Sequence, residues 1–326
     1  DDGIDTIGKK MTVCQLYAKQ IRHRGNVRYN TKNGRKRLMK LLEEDKLGGC
    51  PIDSVKLSDA KEWAIRMKEK GISYKTISND KRSLKAAFYT AIQDDCIRKN
   101  PFDFQLNTVI EDDTEPKVPL TPAQEESFLS FAQNDKVYQK YYDELIILLG
   151  TGLRISELCG LTDTDINFEN RIINVDHQLL RSAETGYYIE TPKTKSGIRQ
   201  IPMSEKVYEA FNRVLKRRRG AKAVTIDGYS NFLFLNRDGY PKTATNYDGM
   251  FRGLAKKYNK YHEEALPKVM TPHTLRHTFC TNMANAGMNP KALQYIMGHS
   301  NITMTLNYYA HATFDSAKAE MLRIAA

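Results

Sequence analysis

A short acidic stretch about one third of the way along the chain limits the folds that this sequence can adopt. Residues Val109 to Pro119 contain mostly acidic charges and two prolines, a composition typical of a linker rather than of a helix or a strand. The chain of 326 residues is also too long for one small core. The sequence therefore predicts two compact domains joined by a linker, with a tail at 1–10, a first domain at 11–106, the linker at 107–119 and a second domain with a C-terminal tail at 120–326.

The first domain is predicted to be a bundle of helices. Four of its segments open with a residue that can cap a helix N-terminus and continue with apolar side chains at helical spacing. These segments begin near Thr12, Thr31, Ser58 and Ser73.

The second domain is predicted to be mainly α with a small antiparallel β-sheet. Thr121 and Pro122 open it with a capping-box pattern and a proline at the first helical position. The glycines at 150 and 152 break an apolar helix, which places Arg154 near the N-terminus of the next helix. The remaining segments predict strands at 171–176, 187–191 and 199–203, a hairpin tip at 193–197 between the last two strands, and helices at 204–219, 243–258, 271–286 and 289–297.

The charge of the chain points to a polyanionic partner. The formal net charge is +11 and the pI is about 9.2, which favours nucleic acid over an anionic membrane surface. Eight basic residues and no acidic residue lie between Arg22 and Lys40, and the Arg66–Lys85 stretch has seven basic residues against two acids. Arg217–Arg219 are predicted equally well to contact DNA or to form a solvated helix end. The predicted DNA contacts of the first domain are Arg22, Arg24, Arg28, Arg35, Arg37, Lys75 and Arg82.

Composition argues against several other classes of protein. The 40% hydrophobic and 27% charged content is that of an ordinary globular protein. No apolar run is long enough to cross a bilayer, and the first residues do not resemble a signal peptide. The five cysteines are scattered without a CxxC pair, which argues against a disulfide framework or a structural zinc site. The sequence therefore predicts a cytoplasmic protein without membrane partners.

Six positions in the second domain carry the functional signal when they are taken in order. Each alone is more often structural, since single buried-looking arginines and histidines usually are. The positions are Arg154, a lysine at 193 or 195, His273 and Arg276 in the run 271–277, His299 in the run 298–300, and Tyr308 or Tyr309. From about Thr121 to Ala312 this order resembles the tyrosine recombinase (integrase) family. The residue pattern from Gly298 to His311 is most similar to that of integrases of Gram-positive conjugative transposons.

The resemblance implies a site-specific recombinase that integrates and excises a mobile element through a 3′-phosphotyrosyl intermediate and a Holliday junction. It implies that the helical domain is a core-binding (SAM-like) DNA-binding domain and that the tail at 1–10 is the remnant of an arm-binding domain. The covalent link conserves bond energy, so no ATP, metal or other cofactor is implied. The implied partners are double-stranded DNA at specific sites, three further protomers in a tetramer and accessory excision or DNA-bending proteins. The segment Asp315–Ile324 is expected to be an amphipathic helix that is exchanged between protomers or packs in cis.

The arginines and the lysine fit this chemistry. Attack on a phosphodiester places negative charge on the non-bridging oxygens, which the planar forks of Arg154 and Arg276 can clamp. Glu157, one turn after Arg154, is expected to orient it. The departing 5′ oxygen needs a proton, which a lysine can deliver. Family members keep the first lysine of such a segment, so Lys193 is preferred and Lys195 is the alternative.

The nucleophile is one of two adjacent tyrosines. Tyr308 lies nine residues after His299, as in most relatives, whereas a tyrosine-x-histidine pattern would select Tyr309 through His311. A phenol has a pKa of about 10 and attacks poorly without help. The prediction is therefore Tyr308 as the nucleophile, His273 as its base and His299 as a donor to the phosphate.

Three other interpretations compete with this one. His273 and His277 have the spacing of a metal-binding pair, but the zincin pattern needs a glutamate where Thr274 stands. A type IB topoisomerase carries a similar residue set and would relax supercoils as a monomer. A DNA-binding regulator could keep the fold without activity, although the presence of every catalytic residue type argues against it.

Overall fold

The chain divides into two compact units, residues 1–116 and 117–326, in a computed structural model. The structure describes residues 8–25, 27–192, 194–218, 224–309 and 321–322. The division at 116 falls inside the stretch 107–119 that the sequence marks as a linker.

The first unit is helical, and each of the four predicted segments forms a helix. Thr12 and Ser73 cap their helices through the side-chain hydroxyl, as the sequence predicts, and Thr12 forms a full capping box. The other two helices begin slightly earlier than predicted and lack a hydroxyl cap. The helices are α1 (Val13–His23), α2 (Tyr29–Glu43), α3 (Leu57–Glu69) and α4 (Tyr74–Gln93).

An aromatic cluster forms the centre of the first unit. Trp63 of α3 and Phe88 of α4 are fully buried, and Phe102, which follows α4, packs against both. The Trp63–Phe102 ring centroids are 5.7 Å apart edge to face, and the Phe88–Phe102 centroids are 5.4 Å apart. Such pairs add to the free energy gained by burial alone. Phe102 therefore fastens the segment after α4 to the helical core.

Two arginines of the basic stretches form ion pairs inside the first unit. Arg66 binds the buried carboxylate of Asp45 through two hydrogen bonds of 2.8 and 2.7 Å. Arg37, a predicted DNA contact, binds the buried Asp80 at 2.5 Å and thereby joins α2 to α4. The side chain of Arg37 is still 43% exposed, so the pair leaves part of it open to solvent. Of the other predicted contacts, Arg28 and Arg35 are half-buried and the exposed ones are Arg22, Arg24, Lys75 and Arg82.

The second unit is also mainly helical. The predicted capping box of Thr121 is present, with Pro122 in the first turn of its helix. The helices are α5 (Pro122–Asn134), α6 (Tyr142–Thr151), α7 (Ile155–Gly160), α8 (Glu205–Arg218), α9 (Ala244–Tyr261), α10 (Pro272–Asn285), α11 (Pro290–Met297) and α12 (Thr303–Leu306). None of the helices within the described ranges is long and apolar enough to span a bilayer.

Helix α6 lies at the centre of the second unit. Leu145, Ile147 and Leu148 are completely buried, and α6 packs against both α8 and α10. A helix that is apolar on nearly all sides is stable only when other elements surround it. This packing places the C-terminal end of α6, at Gly152, beside α10.

The strands pair differently from the prediction. They are β1 (Ile166–Asn167), β2 (Ile172–Val175), β3 (Gln178–Ser182), β4 (Gly186–Glu190) and β5 (Arg199–Pro202). Within the described ranges they form two antiparallel sheets, β1-β2-β5 and β3-β4, rather than one. The prediction of a hairpin between residues 187–191 and 199–203 is wrong, because β4 pairs with β3, which the sequence analysis missed, and β5 pairs with β2. The segment 191–198 therefore connects two sheets.

The basic end of α8 is engaged within the second unit. Arg213 and Arg217 bind the two carboxylate oxygens of the buried Asp143 at 2.8 and 2.6 Å. Arg218 donates to the backbone carbonyl of Phe232. The two alternatives for Arg217 and Arg218, DNA contact or a solvated helix end, stay predictions, since 53% of the Arg217 side chain is exposed. Arg219 lies outside the described residues.

The predicted C-terminal helix, Asp315–Ile324, falls almost entirely outside the described residues. Met321 and Leu322 are described, and both side chains are exposed.

The aromatic cluster gives a stability prediction. We expect Phe102→Ala to lower the unfolding free energy of the first unit by about 3 to 5 kcal/mol, because it leaves a cavity beside Trp63 and Phe88. Trp63 is the single tryptophan of the chain, so its fluorescence during urea unfolding reports on this unit. Tyr89→Ala, at an exposed position of α4, is the matched control and should change the value by less than about 1 kcal/mol. Equal effects of the two substitutions would contradict the assigned core.

Candidate active site

Arg154 stands at the N-terminus of α7, as the sequence predicts. Gly152 adopts a left-handed conformation that ends α6, and Arg154 is the N-cap residue of α7. The Arg154 guanidinium donates to the Glu157 carboxylate at 2.7 Å and to the Gly298 carbonyl at 3.0 Å. Glu157 also accepts from the Arg154 backbone N–H at 2.8 Å. The predicted orienting role of Glu157 thus has a direct geometric basis, and 37% of the Arg154 side chain remains exposed.

Arg276 is buried on α10, with its guanidinium held by two backbone carbonyls. It donates to Gly152 and to Met297, each at 2.5 Å. Burial, followed by the nearby charge of Arg154, lowers the pKa of Arg276 to about 9, so the group remains charged at neutral pH. Adjacent carbonyls at the end of α11, those of Met297 and Gly298, therefore accept from the two arginines, which places both guanidinium groups at one point of the unit.

The two glycines that end α6 and α11 have little room for a side chain. A Cβ on Gly152 would lie 2.5 Å from the Phe279 ring. A Cβ on Gly298 would lie 3.0 Å from the Ser196 carbonyl and 3.1 Å from the Arg199 guanidinium. Both glycines also have positive φ, at 63° and 60°, which favours glycine. The carbonyls that hold the arginines thus lie at tightly packed helix ends.

Arg199 is a site residue that the sequence analysis missed. Its fully buried side chain forms two hydrogen bonds with the Glu157 carboxylate, at 3.0 and 2.9 Å, and donates to the Ile296 carbonyl at 2.6 Å. Although burial alone would raise it, the pKa of Glu157 falls to about 2 because Arg199 and Arg154 stabilise its charge. The available signal was an arginine at an inward position of an alternating strand, two residues before the buried Ile201.

The two predicted histidines differ in exposure. His299 is buried, and its Nδ1 lies 3.0 Å from the Thr305 hydroxyl. Desolvation, followed by the charges of Arg276 and Arg154, lowers the pKa of His299 to about 4. His273 is exposed. Partial desolvation, followed by the charge of Lys117, nevertheless lowers the pKa of His273 to about 4 as well. Both imidazoles are neutral at pH 7.

The adjacent tyrosines follow α12 and have different partners. The Tyr308 hydroxyl lies 2.9 Å from Nδ1 of His277, and the two ring centroids are 4.9 Å apart. The Tyr309 hydroxyl donates to the Met288 carbonyl at 2.5 Å. Burial raises the pKa of both phenols. The histidine that contacts the predicted nucleophile is therefore His277 and not His273, which the sequence analysis had selected as the base.

Of the two candidate lysines, the structure describes only the alternative, Lys195. Lys193 lies outside the described residues, so its position is not part of this geometry. Lys195 is exposed at the start of a short 3-10 turn that leads into β5. Lys195 lies four residues before Arg199, the partner of Glu157.

One group within the described ranges has the ligand types and the proximity for a metal ion: Asp165, Asp176 and His177. The His177 ring already hydrogen-bonds through both nitrogens, to Asp176 at 2.5 Å and to the Gly160 carbonyl at 2.7 Å. A metal would have to displace one of these bonds. The group does not contain any of the six predicted catalytic residues.

Comparison with known proteins identifies the class of enzyme to which this fold and these converging arginines belong. Residues 119–316 match the phage integrase family. The chain belongs to the phage integrase family and is a tyrosine recombinase, an enzyme that cuts and rejoins DNA at specific sites. The predicted fold class and the resemblance to this family, including its conjugative-transposon members, are confirmed.

Several relatives are similar over nearly the whole chain. The transposases of transposon Tn916 from Enterococcus faecalis and of Tn1545 from Streptococcus pneumoniae are each 69% identical over 323 residues, covering 99% of this chain and 80% of theirs. The Tn1549 transposon integrase in complex with transposon right end DNA has a TM-score of 0.91 and 78% identity, covering 97% of this chain and 100% of that one. A lambda integrase dimer on a core site, at 16% identity and TM-score 0.62, shares the fold.

The Glu157 network gives a pH-dependent stability prediction. The folded pKa of about 2 lies below the unfolded value of 4.5, so the stabilisation is present above pH 4.5 and is lost as the pH falls toward 2. We expect Glu157→Gln to cost about 3 kcal/mol at pH 7, because two guanidinium groups lose their counter-charge, and progressively less below pH 4. Urea unfolding followed by circular dichroism at several pH values measures this difference.

The matched control is Glu205→Gln, which breaks the exposed ion pair with Arg171. It should leave the free energy of unfolding nearly unchanged at every pH, because solvent screens this exposed pair. A Glu157→Gln effect that stays constant from pH 7 to pH 3 would show that the carboxylate charge is not what stabilises the site.

Proposed function

We propose that this recombinase integrates and excises a mobile element by forming a 3′-phosphotyrosyl link between Tyr308 and DNA. The observation that carries the proposal is the convergence of Arg154 and Arg276 on the carbonyls of Met297 and Gly298. Two charged planar forks fixed in this way can hold both non-bridging oxygens of one phosphate without reorganising during attack. His299 follows directly after these carbonyls and supplies an imidazole N–H to the same phosphate.

The proposed reaction exchanges one phosphodiester bond for another, so the bond energy is conserved. The Tyr308 oxygen attacks the phosphorus, the bond to the 5′ oxygen breaks, and that oxygen takes a proton from a lysine, with Lys193 preferred over Lys195. The free 5′ hydroxyl of a second duplex then attacks the phosphotyrosine, and a second round resolves the resulting Holliday junction. Neither ATP nor a metal enters these steps. The sequence hypothesis selects His273 as the acceptor of the tyrosine proton, whereas the histidine in contact with Tyr308 is His277.

Variants of the Tn1549 integrase support the choice of Arg154 and Tyr308. The solved complexes of that protein include an arginine-to-lysine variant and a tyrosine-to-phenylalanine variant. The two substituted positions are 154 residues apart there, which is also the separation of Arg154 and Tyr308 here. With 78% identity between the chains, equal spacing supports the same arginine and tyrosine in both.

The same relative suggests the DNA substrate. The Tn1549 integrase was solved with transposon right end DNA and with circular intermediate DNA. We propose that this chain acts on element ends and on a circular intermediate of the same kind, with the basic surface of the first unit on the duplex. A homotetramer, C-terminal exchange between protomers, accessory excision or bending proteins and a cytoplasmic location belong to the same proposal.

A suicide DNA substrate tests the nucleophile. We expect the wild-type chain to form a covalent protein–DNA adduct without divalent cations, whereas Tyr308→Phe forms none and Tyr309→Phe forms it at an unchanged rate. Denaturing electrophoresis followed by mapping of the labelled peptide measures this. A wild-type chain that gives no adduct would indicate a DNA-binding regulator. Adduct formation with relaxation of any plasmid by monomers would indicate a topoisomerase.

A substitution of Arg276 tests whether this arginine holds the phosphate in the transition state. We expect Arg276→Lys to lower the single-turnover cleavage rate by at least about 100-fold and to change DNA affinity by less than about threefold, because the lost fork acts mainly in the transition state. Arg82→Ala, on the exposed basic surface of α4, should instead weaken affinity and its salt dependence and leave cleavage at saturation intact. Gel shifts beside cleavage assays compare them. Equal losses of binding and cleavage in Arg276→Lys would contradict the clamp.

A further inference from the structure

Helix α10 presents two histidines to the site, and the contacts of His277 differ from those of His273. Nδ1 of His277 lies 2.9 Å from the Tyr308 hydroxyl. A neutral imidazole has one N–H, so in the tautomer that carries it on Nε2 the lone pair of Nδ1 points toward the phenol.

The protonation states of the pair suit a proton transfer from Tyr308 to His277. Burial lowers the pKa of His277 below its usual 6.5, so the imidazole is neutral at pH 7. Burial raises the pKa of Tyr308, so the phenol holds its proton until something accepts it. The charged or titratable groups that act on this pair are Lys117 before α5, and His273, Arg276 and Cys280 on α10.

The neighbouring Tyr309 has no base as the partner of its hydroxyl among the contacts of the described residues. The Tyr309 hydroxyl donates to the Met288 carbonyl, an acceptor that can hold a hydrogen bond but cannot take the proton. Of the two adjacent phenols, Tyr308 therefore has a base at hydrogen-bond distance. This contact distinguishes the two tyrosines by a criterion independent of their spacing from His299.

We propose that His277 is a catalytic residue of this enzyme, the general base that takes the Tyr308 proton through Nδ1. The proposal rests on the proposed function. As the Tyr308 oxygen bonds to phosphorus, its O–H bond breaks and the proton passes to Nδ1. The bond from phosphorus to the 5′ oxygen breaks, and that oxygen takes a proton from the general acid. Rejoining runs in reverse, and the proton returns from Nδ1 to the tyrosine. His273 is then free to donate to the phosphate.

Single-turnover cleavage of a suicide substrate at saturating enzyme tests this role. We expect His277→Ala and His277→Asn to cleave at least about 100-fold more slowly than wild type at pH 7. The asparagine amide can keep a hydrogen bond to the hydroxyl but cannot accept its proton. From pH 6.5 to 9 the wild-type rate should be nearly flat, whereas the variant rates should rise about tenfold per pH unit, because the phenol must then lose its proton to solvent.

A substrate with sulfur in place of the bridging 5′ oxygen separates base from acid. Sulfur leaves without protonation, so this substrate should restore cleavage when the acid is removed by Lys193→Ala or Lys195→Ala but should not restore it in the His277 variants. Gel shifts and circular dichroism confirm that the variants fold and bind DNA. The Tyr309→Phe variant is the matched control and should cleave within about twofold of wild type.

The outcomes distinguish this inference from the proposed function. If wild type forms no tyrosine adduct, the proposed function itself fails. If wild type forms the adduct while His277→Asn cleaves at a similar rate, keeps the wild-type pH profile or is restored by the sulfur substrate, His277 is not the base and the nucleophile assignment survives. In that case His273→Ala should show the pH-dependent loss instead.

Discussion

A buried carboxylate between two guanidinium groups is the interaction on which the catalytic unit depends. Arg199 has no exposed side-chain surface, and an isolated buried charge would cost several kcal/mol. Glu157 removes that cost and holds Arg154 at the same time. These contacts need α7, β5 and the end of α11 in place together, because the Ile296 carbonyl completes the coordination of Arg199. The site can therefore form only when these distant segments have assembled.

Local signals in the sequence predicted most of the helices. The caps at Thr12, Ser73 and Thr121 are hydrogen bonds within one turn, so the residues that make them are neighbours in the sequence. The placement of Arg154 at a helix start follows from the glycines before it for the same reason. The strand pairing could not be predicted in this way. β5 joins β2 across the inserted β3-β4 hairpin, and alternation alone does not say which strands are partners.

The residues of the candidate site also differ in whether local sequence signals could predict them. The order of the polar positions predicted Arg154, Arg276 and His299, which the structure places at or next to the ends of α6 and α11. Arg199 and the Tyr308 contact of His277 were missed, because each depends on a partner more than thirty residues away. His277 was considered in the sequence only as half of a metal pair with His273. Its hydrogen bond to a tyrosine beyond α11 is a property of the tertiary structure.

The acceptors that align Arg154 and Arg276 at Gly152, Met297 and Gly298 are main-chain atoms. Every amino acid carries that carbonyl, so replacing a side chain at Met297 would leave the acceptor where it is. A systematic alanine scan would reveal the guanidinium groups and Glu157 but would miss the peptide oxygens opposite them. An inventory of this site that counts side chains alone would thus leave out three of the four groups that accept hydrogen bonds from the two guanidinium groups.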